Sequence, residues 1–180
     1  MKTARKPPWR SRPLRVIKGN QVIEDNWQRI DKAAEDAPLP PGDIIVSYAY
    51  WKAHREQLLQ RADGMFGICI YGDDAIEDIK ADLQHFRIIA LDFPVFRDGR
   101  NYSHARLLRE RYGYKGELRA VGDVLRDQLF FLRRCGIDAF QIREDKNIED
   151  AIRSFADFSV VYQTAADDAV PVYKNRRLST

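Results

Sequence analysis

From Asp43 to Phe158 the chain switches five times between a short apolar, β-leaning run and a helix-patterned segment. That alternation confines it to α/β architectures with a mostly parallel sheet, because each right-handed crossover buries a helix against a sheet face. Strands are expected at Ile44–Tyr48, Met65–Tyr71, Arg87–Phe93, Glu117–Val121 and Ala139–Ile142. Helices are expected at Trp51–Ala62, Ala75–His85, Ser103–Tyr112, Val124–Cys135 and Ile148–Phe158, the fourth capped by Asp123 and stopped at Gly136. The near-continuous apolar strands suit a sheet covered on both sides. The expected fold is therefore an open, mostly parallel sheet of about five strands with helices on both faces. A partial barrel, five of the eight units of a (β/α)₈ barrel, is the alternative.

Ahead of this core, Pro13–Ile23 reads as a β-hairpin around Gly19-Asn20. Asn26–Ala34 is a weaker segment, and the proline-rich Ala37–Gly42 breaks regular structure because proline removes backbone donors. This gives an N-terminal arm and hairpin over 1–42, an α/β domain over 43–160, and a loose or extended C-terminal tail over 161–180. A chain of 180 residues, 44% hydrophobic, supports one main core that needs neither a metal nor a disulfide for stability.

Thirty basic against 27 acidic residues leave a net charge of only +3, too small for a nucleic-acid footprint. Lys2, Arg5, Lys6, Arg10, Arg12 and Arg15 form a basic stretch without an acid. It lacks an amphipathic period and reads as a solvated terminus rather than a nucleic-acid or membrane-surface arm. No secretory signal and no apolar span of ~20 residues is present. Cys69 and Cys135, both in apolar contexts, then read as reduced cysteines of a cytoplasmic protein, with a redox pair as the alternative.

In parallel α/β sheets, ligands gather where strands end. The loop after Phe93 carries Arg97, Asp98, Arg100, Tyr102 and Ser103. Ser103 at a helix start, with the forks of Arg97 and Arg100, would suit a small anion such as sulfite, sulfate or phosphate. Asp98, Tyr102 and Asp123 are the candidates for acid/base work. Between Phe93 and Arg134 ten basic residues face five acidic ones, so Arg97, Arg100, Arg106, Arg109 and Arg119 could instead form an electropositive dock. The bland reading is a loop of internally paired arginines and a Ser103 that merely caps. His54, His85 and His104 lack metal-ligand spacing, no metal site is expected, and no cofactor is evident. Familiar nucleotide, hydrolase and zinc-protease motifs are absent from the sequence.

The stretch from Phe93-Pro94-Val95-Phe96-Arg97-Asp98-Gly99-Arg100-Asn101-Tyr102-Ser103 through Gly122-Asp123-Val124-Leu125-Arg126-Asp127-Gln128 to Phe140 resembles an uncharacterised bacterial family. Its members are described as domain-of-unknown-function proteins or as oxidoreductases of sulfite reduction. The chain departs from the family pattern at Asn101, commonly Gly, and Ile137, commonly Phe; Asn tolerates left-handed φ. The resemblance implies a role in assimilatory sulfate reduction and cysteine biosynthesis, beside the haem–iron–sulfur sulfite reductase. It implies an accessory or electron-delivery partner of that enzyme. A small-anion-binding enzyme using the Arg97–Ser103 loop is the rival.

Overall fold

The structure, a computed structural model, describes residues 14–30, 38–157, 160–167 and 169–175. The basic arm before Leu14, the end of the Asn26–Ala34 segment and Phe158 lie outside the described residues. The strands are β1 (Leu14–Lys18), β2 (Gln21–Asp25), β3 (Gln28–Arg29), β4 (Ile44–Ser47), β5 (Phe66–Ile70), β6 (Ile88–Phe93), β7 (Glu117–Gly122) and β8 (Ala139–Phe140). All eight share one sheet, in the order β2-β1-β8-β7-β6-β5-β4-β3. The sheet is thus larger than the five strands expected. The hairpin adds two of them, since β1 pairs antiparallel with both β2 and β8. At the far edge β3 pairs parallel with β4.

Strands β3 to β8 run parallel and stand side by side in chain order. Such an order never reverses direction, so right-handed crossovers deliver every helix to the same face. The segments that follow β4 to β8 are α1 (Tyr48–Leu59), a 3-10 helix (Ile76–His85), α2 (Arg100–Arg106), α3 (Leu129–Arg134) and α4 (Ile148–Arg153). Their buried residues, among them Trp51, Leu58, Ile79, Ala105 and Leu132, pack on Val46, Ile68, Ile70, Leu91, Leu118 and Phe140 of the sheet. The other face holds a smaller cluster of Ile45, Cys69, Ile88, Ala90 and Val121, covered by Trp27 and, among the described residues, by no helical one. Helices on both faces are therefore replaced, among the described residues, by a helical layer on the outer face alone, the partial-barrel alternative.

What buries that inner face is curvature. Asp25 ends β2 on one edge and Gln28 begins β3 on the other, with only Asn26 and Trp27 between. Three Cα steps span at most about 11 Å. The edges of a flat eight-stranded sheet would lie about 34 Å apart. The sheet must curl into a half-barrel, which brings its edges together around Trp27. Small side chains along the middle of the inner face, at Gly67, Cys69, Ala90 and Ala139, leave room for that bend.

Several local expectations shift for identifiable reasons. Helix α1 starts at Tyr48 because the Ser47 hydroxyl accepts from the Tyr50 N–H at 3.0 Å. Buried Ile76, Ile79 and Asp82 recur every third residue, matching a 3-10 period rather than an α one. The helix expected from Val124 begins only as a 3-10 turn at Arg126. There the Gln128 side chain, not Asp123, takes the Leu125 N–H at 2.9 Å. Asn101 is helical within α2 rather than left-handed. In the tail, Val172 N–H donates to the Val161 carbonyl at 2.8 Å and a short α5 (Val172–Asn175) forms where an extended stretch was expected. The hairpin turn and the stop at Gly136 hold, with φ of 55° at Gly19, 65° at Asn20 and 93° at Gly136.

Candidate functional site

The C-terminal strand ends carry the loop singled out in the sequence. Arg100 lies across Gly72, the residue two beyond β5, so closely that a β-carbon there would stand 2.6 Å from its Nε. Its fork grips Asp98 at 2.9 and 2.7 Å. Those hydrogen bonds hold the Asp98 carboxyl down to about 2, so it is a carboxylate with no proton to give near neutral pH. Ser103 is exposed and sits three residues inside α2, whose preceding residue is Gly99, so it caps nothing. Asn101 is buried and stitches two strand ends, its amide donating to the Asp92 carbonyl at 2.7 Å and the Ile70 carbonyl at 3.3 Å.

The other acid/base candidates are engaged elsewhere. Tyr102 is half-buried with its ring edge-on to Phe93 at 5.4 Å, and burial pushes its hydroxyl up to about 12. Asp123 accepts from Arg143 at 2.8 Å. Asp98, Tyr102 and Asp123 thus each have a separate partner, and no hydrogen bond joins any two of them among the described residues.

The five arginines of the expected dock divide in two. Arg97, Arg100 and Arg106 are exposed, Arg106 in an i,i+4 pair with Glu110 at 2.8 Å. Arg109 is a staple: it donates to the carbonyls of Gly136, Tyr114 and Gly116 at 2.9, 2.6 and 2.9 Å, and pairs with Asp138. Arg119 is 2% exposed on the inner sheet face, paired with Asp25 at 2.6 Å and Glu117 at 2.7 Å. Neither Arg109 nor Arg119 offers its charge to a docking partner.

The inner face also assembles groups that the loop-centred reading missed. Arg29 of β3 donates to Asp92 of β6 at 2.6 Å and to the Tyr71 hydroxyl at 3.2 Å. Cys69 lies on the same face, close enough that it and Asp92 together outweigh the burial that would lower the Arg29 pKa. Burial first, and then Cys69, raise the Tyr71 pKa. This thiol, phenol, guanidinium and carboxylate lie near the C-terminal end of the half-barrel. The signal was available: Asp92 and Arg119 interrupt otherwise apolar strands, and a charge buried in a strand needs a partner. Cys135 packs on the helical side, so the two cysteines flank the sheet on opposite faces and do not pair. Among the described residues no group of three or more His, Cys, Asp or Glu could hold a metal ion.

One surface feature stands at this same edge. Val95 and Phe96 are 46% and 55% exposed at the tip of the loop after β6. Arg97 beside them is also exposed and makes no ion pair among the described residues. Among those residues, no helix is long and apolar enough to cross a membrane. No curated protein and no solved structure matches the chain. Residues 67–173, from β5 through the C-terminal segment, do match a family model, and the chain belongs to the family described as bacterial protein of unknown function (DUF934).

Proposed function

We propose that this protein is a cytoplasmic accessory partner that docks on sulfite reductase in assimilatory sulfate reduction, with Val95, Phe96 and Arg97 as its contact. The observation that supports the reading is the exposed tip: an aliphatic, an aromatic and an arginine in succession, on a loop anchored by the Arg100–Asp98 fork. An aromatic beside an arginine, backed by a rigid base, is the composition of an interface hot spot. The partner is suggested by the family resemblance of the Phe93–Phe140 stretch. Docking is favoured over electron delivery because two cysteines on opposite sheet faces cannot furnish the four thiolates of an iron–sulfur cluster. The small-anion enzyme reading has less support, since Arg100 is committed to Asp98 and Ser103 lies inside the helix.

The test is complementation of a deletion strain. Growth should fail on sulfate and sulfite, and return with sulfide or cysteine. Wild-type protein should restore growth on sulfite, and a Phe96→Ala/Arg97→Glu variant of unchanged melting temperature should not. The same variant should lose at least tenfold in affinity for purified reductase. Normal growth of the deletion strain on sulfite, with no second gene copy, would refute the proposal. A visible absorption band in the purified protein would return electron delivery to first place.

A further inference from the structure

A wide cleft lies at the opposite end of the half-barrel from the Val95–Arg97 tip. It has a volume of about 1020 Å³ and opens where β5, β6, β7 and β8 begin. Its apolar wall is the half-buried Trp27 indole, Ile88 and Met65, the last 48% exposed. Its charges are unbalanced. Lys18 is neutralised by Glu117 at 2.6 Å and Arg109 by Asp138. Asp167, on the rim, is already held by Arg134 at 3.3 Å. That leaves Arg87, Lys115 and Arg133, three cations with no carboxylate at ion-pair distance among the described residues.

Arg133 is the most telling of the three. It is half-buried, donates to the Asn20 side chain, and places its guanidinium carbon 3.4 Å over the Phe155 ring. Burial depresses its pKa, and the more distant Asp167 offsets that only in part. A half-buried cation is stabilised by an anion that enters beside it. Arg87 and Lys115 stand on the adjoining strand starts, where the Glu117 N–H donates to the Arg87 carbonyl at 3.2 Å.

We propose that this cleft is a binding site for a nucleoside phosphate, the phosphates held by Arg87, Lys115 and Arg133 and the base lying against Trp27 and Met65. The chemistry follows from the lining: an uncompensated positive rim calls for a polyanion, and the indole and thioether favour a flat ring. The size agrees, because small-molecule sites occupy roughly 300–1,000 Å³. The site shares no residue with the Val95–Arg97 tip, so it stands or falls independently of the docking reading.

Calorimetric titration of the full chain tests it, with ADP, pyrophosphate and adenosine as probes. ADP should bind saturably at one site per chain, more tightly than either fragment and more weakly as salt rises. An Arg87→Glu/Lys115→Glu variant should lose at least about tenfold in ADP affinity. Both side chains are exposed, so its melting temperature should stay that of the wild type. Arg97→Glu, at the other end of the half-barrel, should bind ADP unchanged. No saturable binding at millimolar ADP, or equal affinity in the charge-reversed variant, overturns the proposal. Pyrophosphate binding as tightly as ADP would refute the contact with the base, and with it the nucleoside assignment.

Discussion

Arg119 is the most informative side chain to remove. It is 2% exposed in the middle of β7, and its guanidinium reaches Asp25 of β2 at 2.6 and 3.1 Å and Glu117 at 2.7 Å. Arg119→Met keeps much of the aliphatic bulk and deletes the charge. Glu117 still has Lys18 at 2.6 Å, but Asp25, 7% exposed, is left without a cation. Removing one partner from a buried pair costs about 3–5 kcal/mol. For a domain of this size each kcal/mol is worth roughly 2–4 °C, so melting should fall by roughly 6–20 °C. Asp25→Leu leaves Arg119 paired with Glu117 and should cost about 1.5–3 kcal/mol, the range for hydrogen bonds to a charged group. The double variant leaves no orphaned charge at the pair and should be more stable than Arg119→Met alone by about 2 kcal/mol. Urea unfolding of all four proteins supplies the cycle. A loss below about 1 kcal/mol for Arg119→Met, or a double variant no better than that single one, would refute the argument that this pair is electrostatically closed.

Two further outcomes follow from the same inner face and its rim. Burial alone would raise the Glu117 pKa, but Arg119 and Lys18 overcome it and hold the carboxyl below its ordinary value. Its contribution to stability is therefore complete above the unfolded-state pKa of about 4.3 and drains away as pH falls through the lower folded value. Urea midpoints between about pH 5 and pH 3 should fall less steeply in Glu117→Gln than in wild type; identical slopes would show that the ion pairs do not govern this carboxyl. Gly122 at the end of β7 has φ of 95°, and a β-carbon there would stand 2.5 Å from the Phe93 carbonyl oxygen. Gly122→Ala should cost more than the about 1–2 kcal/mol of left-handed backbone strain, whereas Gly113→Ala, with φ of 65° and nothing within 4 Å, should cost only that strain; equal losses in thermal unfolding would show that the close approach is harmless.

The parallel core was legible because its signals are local. Ile44–Ser47, Phe66–Ile70, Ile88–Phe93 and Glu117–Gly122 all fall within two residues of the apolar runs that announced them. Gly19-Asn20 and Gly136 have the backbone that their residue types favour. What was hidden is relational. Whether a helix lands on one sheet face or both depends on whether the strand order reverses, and no single segment records that order. β3 is two residues long, too short for any periodicity to show. The candidate loop was read as an anion cradle because Arg97, Arg100 and Ser103 are close in sequence. The fold then places Ser103 inside a helix and ties Arg100 to Asp98. Arg119 and Arg29 needed the opposite inference, from a charge in an apolar setting to a partner some 60 to 95 residues away.

Those two distant partnerships bear on why the sheet curls. Arg29 and Asp92 sit three strands apart, as do Arg119 and Asp25. In a flat sheet each pair would be separated by about 14 Å, with side chains standing parallel to one another. Only a concave face brings them into contact. An inner face of small residues alone would bend but would not choose how far; two ion pairs running as chords across it define one curvature. Their net stability is small, since desolvation opposes each pair, so their effect is chiefly on shape. The same curvature lets the two-residue link between β2 and β3 close the edges and seats Trp27 over the inner cluster. It also leaves the strand starts open as the cationic cleft. Loss of the Arg119–Asp25 chord should therefore disturb that cleft as well as the core, and a drop in ADP affinity of Arg119→Met, measured at a temperature where the variant is still folded, would connect the two.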